Sequence, residues 1–366
     1  MYTGPNISRD GMIFGYDTGY GVSNNLVSTR FNLGEPTTNL SNNTTLEKRG
    51  NNEYLAYESI VGIIDTYGVG TYSFSFDLKS DIAGLFSVYT TDGAERKYTF
   101  TSKSVSATTN WNRYNITVDI TLVNTAFTVN NISFYGTYGT GKIPTVKNMQ
   151  IEKKSHSTPF TTTSRSNTES LLDISGNNNT IDLNNVLFDL NCQIYFSGSS
   201  TIHVPFDVAT VDVPWTLECV FKRNGPTGNH QSLMGNSGTS PSGSGKFLGV
   251  HSSGYPWSLL YDGSGTQQQV SATNIIMEYG VYYHMLLTHD GTTVNLYHNG
   301  SLAKTSQVTG FTPNPTPVNV FTIGMERNAY WPLYGEVPIS KIYKIALTQK
   351  EVSQNFNAYK NRFNIN

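Results

Sequence analysis

The sequence predicts an all-β fold: two antiparallel β-sandwich (jelly-roll) domains, one inserted into the other, closed by one short C-terminal helix. Three observations predict it. Charged residues make up 14% of the 366 positions, against about 25% in an average domain, while 23 Tyr, 18 Phe and 33 Gly supply strand formers and turn formers in quantity. Apolar residues recur at every second position in run after run, the period of a half-buried strand. Lastly, the first such run breaks off and resumes far downstream. Asp10-Gly11-Met12-Ile13-Phe14-Gly15-Tyr16-Asp17 reads as the first strand of a jelly-roll. Its continuation, Leu171-Leu172-Asp173-Ile174-Ser175-Gly176-Asn177-Asn178-Asn179, arrives only after a module of different pattern. The expected partition is residues 1–25 plus 166–366 for the outer domain and 26–165 for the insert, joined by two chain crossings.

Within the insert, Tyr72-Ser73-Phe74-Ser75-Phe76-Asp77-Leu78-Lys79 alternates strictly, which sets Tyr72, Phe74, Phe76 and Leu78 on one inner face. Asn110-Trp111-Asn112-Arg113-Tyr114-Asn115-Ile116-Thr117-Val118 alternates again, and Asn131-Ile132-Ser133-Phe134-Tyr135 supplies another strand. Val146 to Glu152, followed by Thr158-Pro159-Phe160, closes the unit. No helix is expected here. Ser164 to Ser170 is polar and reads as the linker back into the outer domain.

In the outer domain, Trp215-Thr216-Leu217-Glu218-Cys219-Val220-Phe221-Lys222 places Trp215, Leu217, Cys219 and Phe221 on one face. The strands Tyr282 to His289 and Thr293 to His298 follow, punctuated by Asp290-Gly291 and Asn299-Gly300. Asp-Gly and Asn-Gly predict type I′ hairpins, because both residues of such a turn take positive φ. Gly335 to Tyr343 gives a closing strand. Thr348 with Glu351 fits a capping box that starts a helix, with Val352, Phe356 and Tyr359 on its apolar face.

Composition excludes several functions. The net charge is −2 and no Lys/Arg block stands out, so no nucleic-acid partner is expected. No stretch reaches the ~20 apolar residues of a membrane span, so no membrane insertion is expected. Met1 to Pro5 has neither a basic nor an apolar leader region, which implies folding in the cytoplasm. Cys192 and Cys219 are read as buried thiols rather than a disulfide or metal pair.

The strand Tyr282-Tyr283-His284, the turn Thr288-His289-Asp290-Gly291, Leu296-Tyr297-His298-Asn299-Gly300 and the Gly335-to-Leu347 strand with its helix resemble the concanavalin A-like lectin/glucanase superfamily, in its laminin-G-like jelly-roll branch. The first strand, the Asp173-to-Asn178 turn and Gly34-Glu35-Pro36-Thr37-Thr38-Asn39-Leu40 look like versions found in tailed-bacteriophage virion proteins. The Trp111-x-Arg113-Tyr114 strand with Gln150-Ile151-Glu152 and Thr158-Pro159-Phe160 looks like the carbohydrate-binding-module-like sandwiches of phage tails and fibres. These resemblances imply a virion structural protein assembled in the host cytoplasm, a homotrimer by analogy with fibre and decoration proteins, with other virion proteins and host-surface glycans as partners. The alternatives are a bacterial carbohydrate-binding lectin module and a glycoside hydrolase.

Hydrolysis of a glycosidic bond needs two carboxylates flanking it. No two acidic residues lie two positions apart, and only Asp77/Asp81 and Glu169/Asp173 lie four apart. No catalytic residue is therefore assigned, and the chain is read as a non-enzyme. The His residues show no metal or triad spacing, and His284 is read as a packed strand residue. No metal site or cofactor is assigned. The turns around Asp17, Asp173 and Asp262 carry the hard oxygen ligands that Ca²⁺ takes, against turn capping, the favoured reading. Sugars stack on flat aromatics, so two loops are the candidate carbohydrate site: Tyr255 and Trp257 between strands, and Tyr330, Trp331 and Tyr334 before the closing strand. An aromatic plug over the edge of the core is the competing reading for both.

Overall fold

Period-two patterning becomes antiparallel sheet in a computed structural model of the chain, which describes residues 6–18, 35–42, 45–91, 96–188, 194–204, 214–225, 228–236, 245–261, 267–308, 321–325 and 331–366. The chain forms two compact units, Met1–Glu35 with Ser166–Asn366, and Pro36–Arg165. The fold is all-β, with two helices among the described residues, one of them C-terminal.

In the unit Pro36–Arg165, five strands pair in the order Lys48–Arg49, Pro144–Glu152, Gly70–Ser80, Asn112–Leu122, Tyr98–Thr99. Four more pair in the order Tyr54–Ser59, Asn131–Tyr135, Gly84–Thr91, Lys103–Ala107. The alternation of Gly70–Ser80 turns Tyr72, Phe74, Phe76 and Leu78 inward, where all four are fully buried. They meet Phe86, Val88 and Phe134 from the second sheet, and Phe76 packs on Phe134 edge to face at 4.8 Å. Thr37 and Arg165 exchange both backbone hydrogen bonds, at 2.8 and 2.7 Å, so the two ends of the unit lie side by side.

This unit also holds a helix, Val61–Tyr67, where none is expected from the sequence. Val-Gly-Ile-Ile-Asp-Thr-Tyr is rich in β-branched residues and contains Gly, both weak helix formers. Its N-cap Ile60 offers no capping side chain. Burial of Val61, Ile63 and Ile64 holds it, and Gly68 ends it at φ +79° while its N–H reaches Ile64 O.

The Gln150-x-Glu152…Thr158 motif is a latch. Glu152 is buried and accepts from the Thr158 N–H at 2.9 Å, the Thr158 hydroxyl at 2.7 Å, Gln150 Nε2 at 3.0 Å, and the Thr37 hydroxyl. Gln150 Oε1 accepts from the Thr161 N–H at 2.8 Å. The segment after the last strand is thereby tied down over the outer face of the five-stranded sheet, where Ser73 and Thr117 donate to the carbonyls of His156 and Ser155.

In the other unit, Met12–Asp17 and Ile194–Ser197 share one edge of the closing strand Tyr334–Tyr343, which pairs on its other side with Trp215–Arg223. Tyr282–His289, Thr293–His298 and Ser301–Gln307 extend that sheet on one side, and Leu187–Phe188 pairs with Ile194–Ser197 to make eight strands. The facing sheet runs Asp182–Asn184, Thr201–His203, Thr322–Ile323, Gln231–Gly235, Gly245–Val250, Pro256–Tyr261, Gln267–Ser271. Trp215, Leu217, Cys219 and Phe221 all enter the core between the sheets. Cys219 is a buried free thiol, pushed well up by burial; Cys192 lies outside the described residues. The turn at Asp173 docks on the first strand: Ile174 N–H donates to Gly15 O at 2.8 Å, and Gly15 N–H donates to Asp173 Oδ1 at 3.1 Å.

Asn299-Gly300 forms the expected two-residue turn, with φ of +46° and +77°. Asp290-Gly291 does not. The strands stop at His289 and restart at Thr293, so the loop has one more residue and only Gly291 takes positive φ. Asp290 keeps an ordinary backbone and its carboxylate accepts from the Thr292 and Thr293 N–H groups, at 2.9 and 2.7 Å.

The helix Gln349–Phe363 begins in the expected capping box of Thr348 and Glu351. Val352, Tyr359 and Phe363 pack on the outer face of the eight-stranded sheet, against Val220, Leu286, Tyr297 and Ile339. That face also carries charge. Glu218 Oε1 accepts from Lys341 Nζ at 2.9 Å and lies 2.9 Å from His284 Nε2, while Oε2 accepts from Asn355 Nδ2 at 2.7 Å and the Tyr343 hydroxyl at 3.1 Å. Glu218, Lys341, His284 and Asn355 are all fully buried. Burial alone would push the Glu218 carboxyl up; Lys341 and His284 overcome it and hold it down at about 2.

Candidate functional site

A sheet face turned away from the sandwich core is ordinarily polar. On the seven-stranded sheet, part of that face is aromatic instead. Phe247, Trp257 and Leu259 are buried there in a cluster of their own, with Tyr255 and Trp331 packed against it. Trp257 stands opposite Gly249 across the ladder. A Cβ on Gly249 would lie 2.4 Å from the Phe247 ring and 2.4 Å from the Gln231 carbonyl oxygen, so the missing side chain lets the Phe247 ring lie over the strand. Trp257 meets Phe247 at 4.9 Å and Trp331 at 5.1 Å between ring centroids.

Two backbone devices bring the loops together. Residues 251–255 turn tightly, with His251 N–H donating to Tyr255 O at 3.0 Å and Gly254 N–H donating to His251 O at 2.8 Å. Gly254 has φ +90°, and a Cβ there would meet the Arg223 guanidinium at 2.9 Å. That guanidinium is buried, donates to the Met277 carbonyl and covers the Tyr279 ring at 4.2 Å. Met277 N–H in turn donates to Gly254 O at 2.8 Å, so Arg223 clamps the turn. On the other side Trp331 sits at φ +52°, a region unfavourable for a bulky side chain. Its carbonyl accepts from Ser232 N–H at 2.7 Å.

Two histidines complete the cluster. The His230 ring lies 4.2 Å from that of Trp257 and 4.5 Å from His251, and His251 stacks on Tyr255 at 4.2 Å with the planes 8° apart. Nδ1 of His230 accepts from Ser252 N–H and Nδ1 of His251 from Ser253 N–H, both at 3.1 Å. Accepting at Nδ1 fixes each ring as the Nε2–H tautomer when neutral. Burial lowers the pKa of both, and His251 lowers that of His230 further. The neutral rings offer Nε2–H donors beside half-exposed Tyr255 and Trp331.

Of the five aromatics singled out in the sequence, Tyr255, Trp257 and Trp331 thus converge. Trp257 is not in a loop, however; it belongs to the strand Pro256–Tyr261 and is 4% exposed, so it forms the floor. Tyr334 starts the closing strand elsewhere, its ring against Gly198 and Gly225. Tyr330 lies outside the described residues. His230, His251 and Arg223 carry no motif and were reachable only through the structure.

The acidic candidates are occupied. Asp173 accepts from the N–H groups of Gly15, Ser175 and Asn179 and from the Ser175 hydroxyl, as a turn cap does. Asp17 is buried against Arg362 at 2.6 Å, and Asp262 lies outside the described residues. Among the described residues no group of three or more His, Cys, Asp or Glu is placed to hold a metal. Asp77 binds Arg113 and Asn148, Asp81 binds Arg49, and Glu169 accepts from Ser166.

Residues 196–353 match the family profile described as the concanavalin A-like lectin/glucanases superfamily. The segment matching this superfamily contains every residue of the aromatic cluster. No curated protein matches the chain. Similar solved structures include the binding domain of Paraclostridial Mosquitocidal Protein 1, at 17% identity and TM-score 0.41, covering 52% of this chain and 50% of that one. The binding domain of botulinum neurotoxin DC in complex with SialylT has 15% identity and TM-score 0.42, covering 53% and 50%. A leech intramolecular trans-sialidase has 21% identity and TM-score 0.35, covering 41% and 24%. The chain spans about half the length of the first two.

Proposed function

We propose that the chain is a non-enzymatic carbohydrate-binding protein that takes a neutral sugar ring on Tyr255 and Trp331. One observation carries this reading: aromatics from two separate loops meet on a sheet face, on a buried floor of Trp257 and Phe247, with rigid backbone behind both loops. Fixed rings cost little ordering entropy on binding, and the Nε2–H groups of His230 and His251 can donate to sugar hydroxyls. Titration calorimetry of the whole chain against an oligosaccharide panel tests it. A saturable ligand is expected whose affinity falls at least about tenfold in Tyr255→Ala and in Trp331→Ala; absence of any ligand at millimolar sugar, or binding indifferent to both variants, would refute it.

Weak sites gain strength by multiplicity. The resemblance to phage proteins supports the further proposal that the chain works on a virion surface, as a homotrimer among other virion proteins. Mass spectrometry of purified particles and native mass spectrometry of the protein are the tests; a chain found only in lysate, or only as a monomer, would refute that placement.

A further inference from the structure

We infer that the outer face of the five-stranded sheet in the unit Pro36–Arg165 holds a second saccharide site, specific for a carboxylated sugar, built on Trp111, Lys79 and Lys147. The ladder sets the geometry. Thr145 pairs with both Arg49 and Lys79, and Lys147 pairs with Asp77, which pairs with Arg113. Arg49, Lys79, Arg113 and Lys147 therefore stand on one face, opposite the buried Leu78, Phe76 and Val146.

The two acids next to these cations are committed. Asp81 binds Arg49, and Asp77 binds Arg113 at 3.3 Å and Asn148 Nδ2 at 2.6 Å. No carboxylate among the described residues lies within ion-pair distance of Lys79 or Lys147. Both ammonium groups gather instead over the half-buried indole of Trp111, at 4.7 and 4.2 Å from its centroid.

Two like charges drawn to one ring repel each other, and a cation–π contact only partly offsets this. A carboxylate relieves it by accepting from both ammonium groups, in charge-assisted hydrogen bonds. The indole face so released is available to the C–H face of the attached pyranose. Charge complementarity selects the occupant: a sugar acid, uronic or sialic, satisfies both the cations and the ring, whereas a neutral sugar leaves the cations unpaired. This site is independent of the neutral-sugar site at Tyr255 and Trp331.

The test is calorimetry and tryptophan fluorescence on the whole chain with oligogalacturonate and 3′-sialyllactose, against lactose and a neutral dextran oligomer. Binding of a carboxylated sugar is expected, weakening as salt rises and screens the pair. It should fall at least about tenfold in Lys79→Gln/Lys147→Gln and in Trp111→Ala while Trp331→Ala leaves it unchanged. Unaltered far-ultraviolet circular dichroism of each variant excludes misfolding. Equal binding of the neutral oligomers, binding indifferent to the lysine pair, no binding of either acid, or a preference for a single-stranded oligonucleotide at the same lysines would overturn the assignment.

Discussion

Removing the charge on Glu218 should destabilise the C-terminal sandwich more than any conservative surface substitution. Glu218→Gln keeps shape and volume, yet presents an amide N–H₂ to a pocket that holds the donors of Lys341, Asn355 and Tyr343. At 2.9 Å and an effective dielectric of about 20, the Lys341–Glu218 attraction is about 6 kcal/mol before desolvation. Dehydration of both ions offsets much of it, and breaking one partner of a buried pair costs about 3–5 kcal/mol. Equilibrium urea unfolding at pH 7 should show that loss in Glu218→Gln and a similar loss in Lys341→Met. The double variant, which leaves no uncompensated ion, should lose less than the sum of the two by about 2 kcal/mol or more. The pH dependence supplies a second reading. The folded carboxyl is held at about 2, below its ordinary 4.5, so its stabilisation is present above 4.5 and is lost as pH falls from there towards 2. Glu218→Gln should lack that segment of the acid profile. A Glu218→Gln loss under about 1 kcal/mol, or strict additivity in the double variant, would refute the argument that the pair is coupled.

Four further outcomes follow from the same structure. Burial lowers His289 and His298 to about 4 from 6.5, so the sandwich should lose stability as pH falls from 6.5 towards 4, and His298→Gln should flatten that slope in thermal melts. Protonation of His230 and His251, both lowered by burial, removes their Nδ1 acceptors; sugar binding at Tyr255 and Trp331 should weaken below pH 6.5 in titration calorimetry. Trp257→Ala empties the floor of the site and should cost about 3–5 kcal/mol in urea unfolding, whereas half-exposed Tyr255→Ala should cost under about 1.5 kcal/mol. Thr348→Ala removes the capping box of the C-terminal helix and should cost about 1 kcal/mol.

What was legible in the sequence is what depends on local period. The strands carrying Tyr72, Phe74, Phe76 and Leu78, and Trp215, Leu217, Cys219 and Phe221, follow from alternation, because a one-residue slip would turn each apolar set to solvent. The helix at Thr348 follows from its cap. What was not legible depends on what covers a face. Glu218 alternates with core residues and so reads as solvent-facing; it is buried because a helix more than a hundred positions later lies over that face. Val61–Tyr67 is helical against its propensity because its surroundings bury Val61, Ile63 and Ile64. Arg223, His230 and His251 are single residues without spacing. Their roles exist only once three distant segments meet.

In the proposed carbohydrate site the aromatic cluster would serve as plug and platform together, and that combination would keep the site rigid. A ring that is fully exposed is free to turn, and a ring that is fully buried offers no surface. Here the two conditions are divided between residues. Trp257 and Phe247 are buried and fix the floor; Tyr255 and Trp331 lean on that floor and keep one side exposed. The plug is therefore what holds the contact surface in place, and a variant that loosens the floor should lower sugar affinity without touching a contact residue. Gly249→Ala is such a change, since its Cβ would press on the Phe247 ring and the Gln231 carbonyl. Unchanged affinity in a folded Gly249→Ala protein would show that the exposed rings need no fixed support.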